Sequence, residues 1–135
     1  MAALTKDRAT PYREGVEVEY PVAGAVKIFA GSLVCSNADG YATPGADISG
    51  LRLAGVAMEQ ADNSDGADGA VKVRVRRRGV FEFDAASITQ AMVGDPMYAV
   101  DDHTFDDGAG PTNDVKVGTL VKYESATRGW IDIAR

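Results

Sequence analysis

Two acidic segments, a lone histidine, a lone cysteine and a run of basic residues are the parts of this sequence whose side chains could do chemistry. The first acidic segment, Asp62-Asn63-Ser64-Asp65-Gly66-Ala67-Asp68-Gly69, resembles a calcium loop in composition, and Asn63, Asp65 and Gly66 fit consecutive parts of the EF-hand ligand pattern. The pattern fails at its ends. The first ligand position falls on Ala61 and the closing bidentate carboxylate on Lys72, so two strong ligands are missing. An exposed Gly/Asp connection between two strands explains the same residues by turn chemistry. The second segment, Asp101-Asp102-His103-Thr104-Phe105-Asp106-Asp107, brings carboxylates beside the only imidazole, but no second His or Cys supplies a zinc spacing. It too reads as a turn, leading into Gly108 and Gly110. No metal site is expected from either segment.

Cys35 lies in the apolar run Leu33-Val34-Cys35 and has no second cysteine to pair with. It is expected to be a buried structural thiol, which fits synthesis in a reducing cytoplasm. A nucleophilic role would need a base, and His103 is far away in sequence. The glycines at 40, 45, 50, 55 and 66 are scattered among turns, without a Gly-rich loop running from a strand into a helix, so no nucleotide or other cofactor is expected. A catalytic carboxylate pair has no positive support, because the twenty acids of a small β-protein are mostly solvated surface. The sequence reads as non-enzymatic.

The basic run is the most informative stretch. From Ala70 to Phe83, Val71, Val73 and Val75 point one way while Lys72, Arg74, Arg76 and Arg78 point the other, making a ladder of four cations. Such a ladder either pairs with acids on a neighbouring strand or offers guanidinium groups to carboxylates on another subunit. Gly79 is expected to mark a bulge, because Arg77 would otherwise share the face of Val75 and Phe81.

The elements that carry these residues are short strands. Val16, Val18 and Tyr20 alternate with Glu17 and Glu19, and Pro21 stops the run. Further period-two or short apolar runs follow at 25–29, 32–36, 51–58, 70–83, 96–100, 115–123 and 129–134, separated by Gly, Asp, Asn and Pro. Only Ser87 to Met92 resembles a helix, one or two turns long, stopped by Gly94. The expectation is an all-β fold: a compact antiparallel β-sandwich or barrel with one short helix and an extended N-terminal arm. The arm covers 1–15 and a single β domain covers 16–135.

A chain of 135 residues is the size of one domain with one core, and 45% apolar with 25% charged residues is an ordinary soluble composition. Lys6, Asp7 and Arg8 interrupt any apolar run near the start, so neither a signal peptide nor a membrane contact is expected. The net charge is −6, yet the arm carries Lys6, Arg8 and Arg13 against Asp7 and Glu14. An acidic body argues against nucleic acid as a partner, since Lys and Arg neutralising phosphates supply most of that affinity.

Three segments, taken in order, resemble the tailed-phage capsid cement, or head decoration, protein family. The first is Pro21-Val22-Ala23-Gly24-Ala25-Val26-Lys27-Ile28-Phe29-Ala30-Gly31-Ser32-Leu33-Val34. The second couples Leu53-Ala54-Gly55-Val56-Ala57 to Val71-Lys72-Val73-Arg74-Val75 and Gly79-Val80-Phe81. The third joins Val93-Gly94-Asp95-Pro96-Met97-Tyr98-Ala99-Val100-Asp101-Asp102 to Val117-Gly118 and Trp130-Ile131-Asp132-Ile133. Order and spacing carry the resemblance across residues 16 to 134.

The resemblance implies a structural virion protein, made in the host bacterial cytoplasm, that sits on the capsid exterior. Its implied partners are the major capsid protein and further copies of itself, as a homotrimer or, in some relatives, a dimer. It implies no catalytic residues. The surfaces such a role would use are Arg8, Tyr12 and Arg13 on the arm, the ladder Lys72, Arg74, Arg76 and Arg78, and Trp130, which lies opposite Ile131 and Ile133 in the last strand and so either faces outward into an interface or caps the core. The arm is expected to order on binding, by adding a strand to an exposed capsid edge with Tyr12 as an apolar anchor. Competing readings are another β-rich virion component, of the tail or head, and a small β-barrel that binds oligonucleotide or carbohydrate.

Overall fold

A computed structural model of the chain describes residues 2–10 and 15–133. It is all-β. Among the described residues twelve strands follow one another: β1 (Glu17–Pro21), β2 (Lys27–Ile28), β3 (Leu33–Ser36), β4 (Ala42–Pro44), β5 (Arg52–Ala57), β6 (Ala61–Asp62), β7 (Lys72–Arg76), β8 (Val80–Ala85), β9 (Pro96–Ala99), β10 (Thr104–Asp106), β11 (Lys116–Ser125) and β12 (Arg128–Asp132). They form a five-stranded sheet in the order β1-β7-β5-β3-β4, a closed barrel β10-β8-β12-β11-β9, and a β2-β6 ribbon. The short helix expected from Ser87 is reduced to a single 3₁₀ turn at Gln90–Met92.

Burial explains the sequence patterns. β7 faces water on one side and reads as strict alternation, with Val73 and Val75 buried and Lys72, Arg74 and Arg76 exposed. β3 and β5 are covered on both faces and read as continuous apolar runs. Leu33, Cys35, Leu53 and Val56 join one cluster with the barrel interior, where Met97, Phe105, Leu120 and Ile131 are fully buried. Val34, Ala54 and Ala57 join a second cluster with Val22, Ile28, Val73 and Val75. The one core expected from length is therefore two clusters, lying on opposite faces of shared strands. Cys35 is buried, as its apolar setting predicts.

Three further expectations need correction. The stretch 70–83 is not one bulged strand. β7 ends at Arg76, and residues 77–79 carry the chain from the open sheet into the barrel, Gly79 adopting φ +132 on the way. The second acidic segment is not only a turn, because Thr104–Asp106 form β10, whose Phe105 is fully buried. β10 closes the barrel by pairing with β8 in parallel, Thr104 opposite Asp84 and Phe105 opposite Ala85, so the fold is not purely antiparallel.

Candidate interaction surfaces

The arm has no packing of its own. Residues 2–10 are exposed throughout, Leu4 at 74%, and the side-chain hydrogen bond found among them is local, with Arg8 Nη1 donating to Thr10 Oγ1 at 3.0 Å. Tyr12 and Arg13 lie outside the described residues.

The cation ladder is shorter than the alternation suggests. Lys72, Arg74 and Arg76 share the exposed face of β7, but Arg78 lies beyond the strand end, exposed on the crossover. The antiparallel register sets Glu17 opposite Arg76 and Glu19 opposite Arg74. Arg76 Nη2 stands 3.8 Å from Glu17 Oε2, and Arg74 Nε 3.9 Å from Glu59 Oε1, all four side chains near half-exposed. Long, solvated pairs of this kind contribute little stability and leave the guanidinium groups available. Arg77 instead turns back along the arm's exit: its amide donates to the Val16 carbonyl at 2.7 Å and its Nη1 to the Gly15 carbonyl at 3.3 Å.

Trp130 is half-buried on the outer wall of the barrel, between Glu82 and Lys122 on the adjacent strands. Its Nε1 donates to Glu124 Oε1 at 3.1 Å, and Lys122 Nζ reaches the same oxygen at 3.1 Å. The Lys122 and Trp130 bonds hold the Glu124 carboxyl below its ordinary pKa. Arg128 lies on the same wall and bridges Glu82 at 3.2 Å and Asp84 at 3.4 Å. Trp130 therefore presents an edge to water rather than capping the core.

The acidic loop after β6 is organised around an inward-facing amide. Asn63 is 2% exposed, and its Nδ2 donates to the carbonyls of Val22 at 3.1 Å, Ala23 at 2.9 Å and Ala67 at 2.9 Å. Asp68 Oδ1 accepts the Gly24 amide at 2.7 Å, and Asp62 Oδ1 the Ser64 amide at 3.0 Å. The Ser64 hydroxyl and amide lower the Asp62 pKa. Asn63, one of the residues that fit the calcium pattern, is thus turned into the protein. Its sequence signal, an Asx in an Asp/Gly run, is the same for both arrangements.

His103 sits where β10 begins. Its Nδ1 is 3.1 Å from Asp84 Oδ2 and its Nε2 3.6 Å from Asp101 Oδ1. The hydrogen bond to Asp84, helped by the charges of Asp101 and Asp102, raises its pKa above the ordinary histidine value against some desolvation. Asp101, Asp102 and His103 offer ligand atoms within 4.8 Å of one another, on the surface. Asp101 Oδ1 already accepts the His103 amide at 2.9 Å, an Asx-type turn.

Sequence reasoning missed two features. One is the clamp by which Asp47 accepts the amides of Thr112 at 2.9 Å and Asn113 at 2.8 Å, which lowers the Asp47 pKa. The other is the edge of β1, the end strand of its sheet, which no strand among the described residues pairs. Both depend on which segments meet across the fold, and neither has a local signature. No family model matches the chain, and no curated protein or solved structure matches it significantly.

Proposed function

We propose that this chain is a non-catalytic structural protein of a tailed-phage virion, which binds the outer surface of the assembled capsid and holds neighbouring major capsid protein subunits together. The observation that carries the reading is the arm. Nine consecutive residues, 2–10, stand exposed on an otherwise compact β body, so whatever contacts they make come from another chain. The order of segments resembling capsid cement proteins supplies the identity of the shell.

The mechanism is avidity. A decorator that is a symmetric oligomer reaches a different capsid subunit with each copy, and tethering places the second and third contacts at an effective concentration of roughly millimolar for short connections. Shallow contacts then suffice, and the exposed Arg74 and Arg76 suit carboxylates on a shell or subunit surface. Trimeric self-association is the form this reading takes, with a dimer as the simpler arrangement.

Deleting residues 2 to 14 and measuring retention on purified capsids tests it. Lost retention is expected, while undiminished binding rules the arm out. Arg74→Ala with Arg76→Ala is the parallel test of the cation row, read as lost oligomer or lost capsid binding.

A further inference from the structure

β1 is hydrogen-bonded only to β7 among the described residues and ends its sheet. The Arg77 amide donates to the Val16 carbonyl and the Val22 amide to the Val71 carbonyl, so the even-numbered residues of this strand turn their peptide groups toward β7. By antiparallel alternation Glu17 and Glu19 turn theirs to the open edge. Their side chains stand on the exposed face, and Glu19 has no ion pair among the described residues. The edge therefore presents free backbone donors and acceptors under two carboxylates at i, i+2 spacing. Unpaired edges of this kind are templates for another strand.

The arm carries the complement. Lys6 and Arg8 have the same i, i+2 spacing, every residue from Leu4 to Thr10 is exposed, and no proline interrupts the segment before Pro11. We propose that residues 4–10 of one copy add as an antiparallel strand to the β1 edge of a second copy, with Lys6 opposite Glu19 and Arg8 opposite Glu17. This deepens the self-association half of the proposed function and does not depend on a capsid.

The register has three supports. Positions 6 and 8 then form the hydrogen-bonded pairs with the outward-turned peptide groups of Glu19 and Glu17. Each glutamate becomes flanked across the face by two cations, Arg8 and Arg76 around Glu17, Lys6 and Arg74 around Glu19, which is the favourable cross-strand arrangement. The added strand also ends where the edge ends: Leu4 falls opposite Pro21, which has no N–H, and Thr10 precedes Pro11. Two β1 strands pairing with each other about Val18 would instead set Glu17 against Glu19, acid on acid. The same chain's arm is an inferior occupant, since in the single chain it lies off the body.

The test uses the full chain in solution without capsid, by sedimentation equilibrium at low and high salt. Association that weakens with salt is expected. The reversals Glu17→Lys with Glu19→Lys, and Lys6→Glu with Arg8→Glu, should each lower the association constant by about tenfold or more. Mixing the two reversed proteins should restore it. Lys6→Cys with Glu19→Cys, in otherwise unaltered chain, should give disulfide-linked multimers on a non-reducing gel. A monomeric parent chain, an oligomer indifferent to both reversals, or a cross-link confined to single chains overturns the inference. Capsid retention by a monomeric chain would sink it while leaving shell binding standing.

Discussion

Replacing Asn63 with leucine keeps the size of a buried side chain and removes only its amide. Three carbonyls, those of Val22, Ala23 and Ala67, converge on the two hydrogens of Nδ2, so two good hydrogen bonds' worth of interaction is lost at a site 2% exposed. Leaving a buried acceptor unsatisfied costs about 1–3 kcal/mol, and the two together about 2–6 kcal/mol. For a domain of this size each kcal/mol moves Tm by about 3–5 °C, so the variant should melt about 6–30 °C below the parent in a thermal scan followed by circular dichroism. Asn63→Asp separates this account from a calcium loop. A calcium loop gains a ligand and should be stabilised by added calcium; the clamp gains a charge facing three carbonyls and should be destabilised with or without it. A leucine variant melting within about 2 °C of the parent would refute the reasoning.

Other substitutions test separate parts of the fold. At Gly55, φ is +152 and a Cβ would meet the Arg76 carbonyl oxygen and Val75 Cγ1, so Gly55→Ala should cost about 2–4 kcal/mol in urea unfolding; a neutral result would mean that β5 can shift on β7. His103 has a folded pKa raised above its unfolded value, so its contribution is present in full below the unfolded pKa and lost as pH rises through the folded one. The Tm difference between parent and His103→Gln should therefore be largest at acid pH and vanish on the alkaline side, and a difference that grows with pH contradicts the Asp84 contact. Asp47 shows the opposite sign: its pKa is lowered by the Thr112 and Asn113 amides, so Asp47→Asn should cost stability at neutral pH and converge with the parent as pH falls below the carboxylate range. Chemical denaturation at the two pH values checks this.

What could be read from the sequence is what depends on near neighbours. The alternation in Lys72–Arg76, the apolar runs 33–35 of β3 and 53–57 of β5, the buried Cys35 and the turn chemistry around 62–69 all follow from residues adjacent in the chain. Position 77 shows where this fails. The alternation has the same period in β7 and β8, so nothing local says that the chain changes sheets between them. Phe105 was hidden by the acids on either side of it, and its burial comes from a parallel pairing with β8, twenty residues away. Asn63 was legible as an Asx in a turn, but whether its side chain faces ions or carbonyls is decided by the Val22–Ala23 segment forty residues earlier. Of the surfaces singled out, Lys72, Arg74, Arg76 and Trp130 stand on outer faces as their patterns imply. The open edge at Glu17 and Glu19 emerges only once β7 is seen on one side of β1 and no strand among the described residues on the other.

The proposed place on the outside of a capsid can be seen or refuted in a cryo-EM map of the assembled particle. Density for this β body is expected on the outer surface, in symmetric groups that bridge at least two major capsid protein subunits, with the arm ordered against a neighbouring chain. Density confined to the tail or the shell interior, or a shell with no copy of the chain on it, would contradict it.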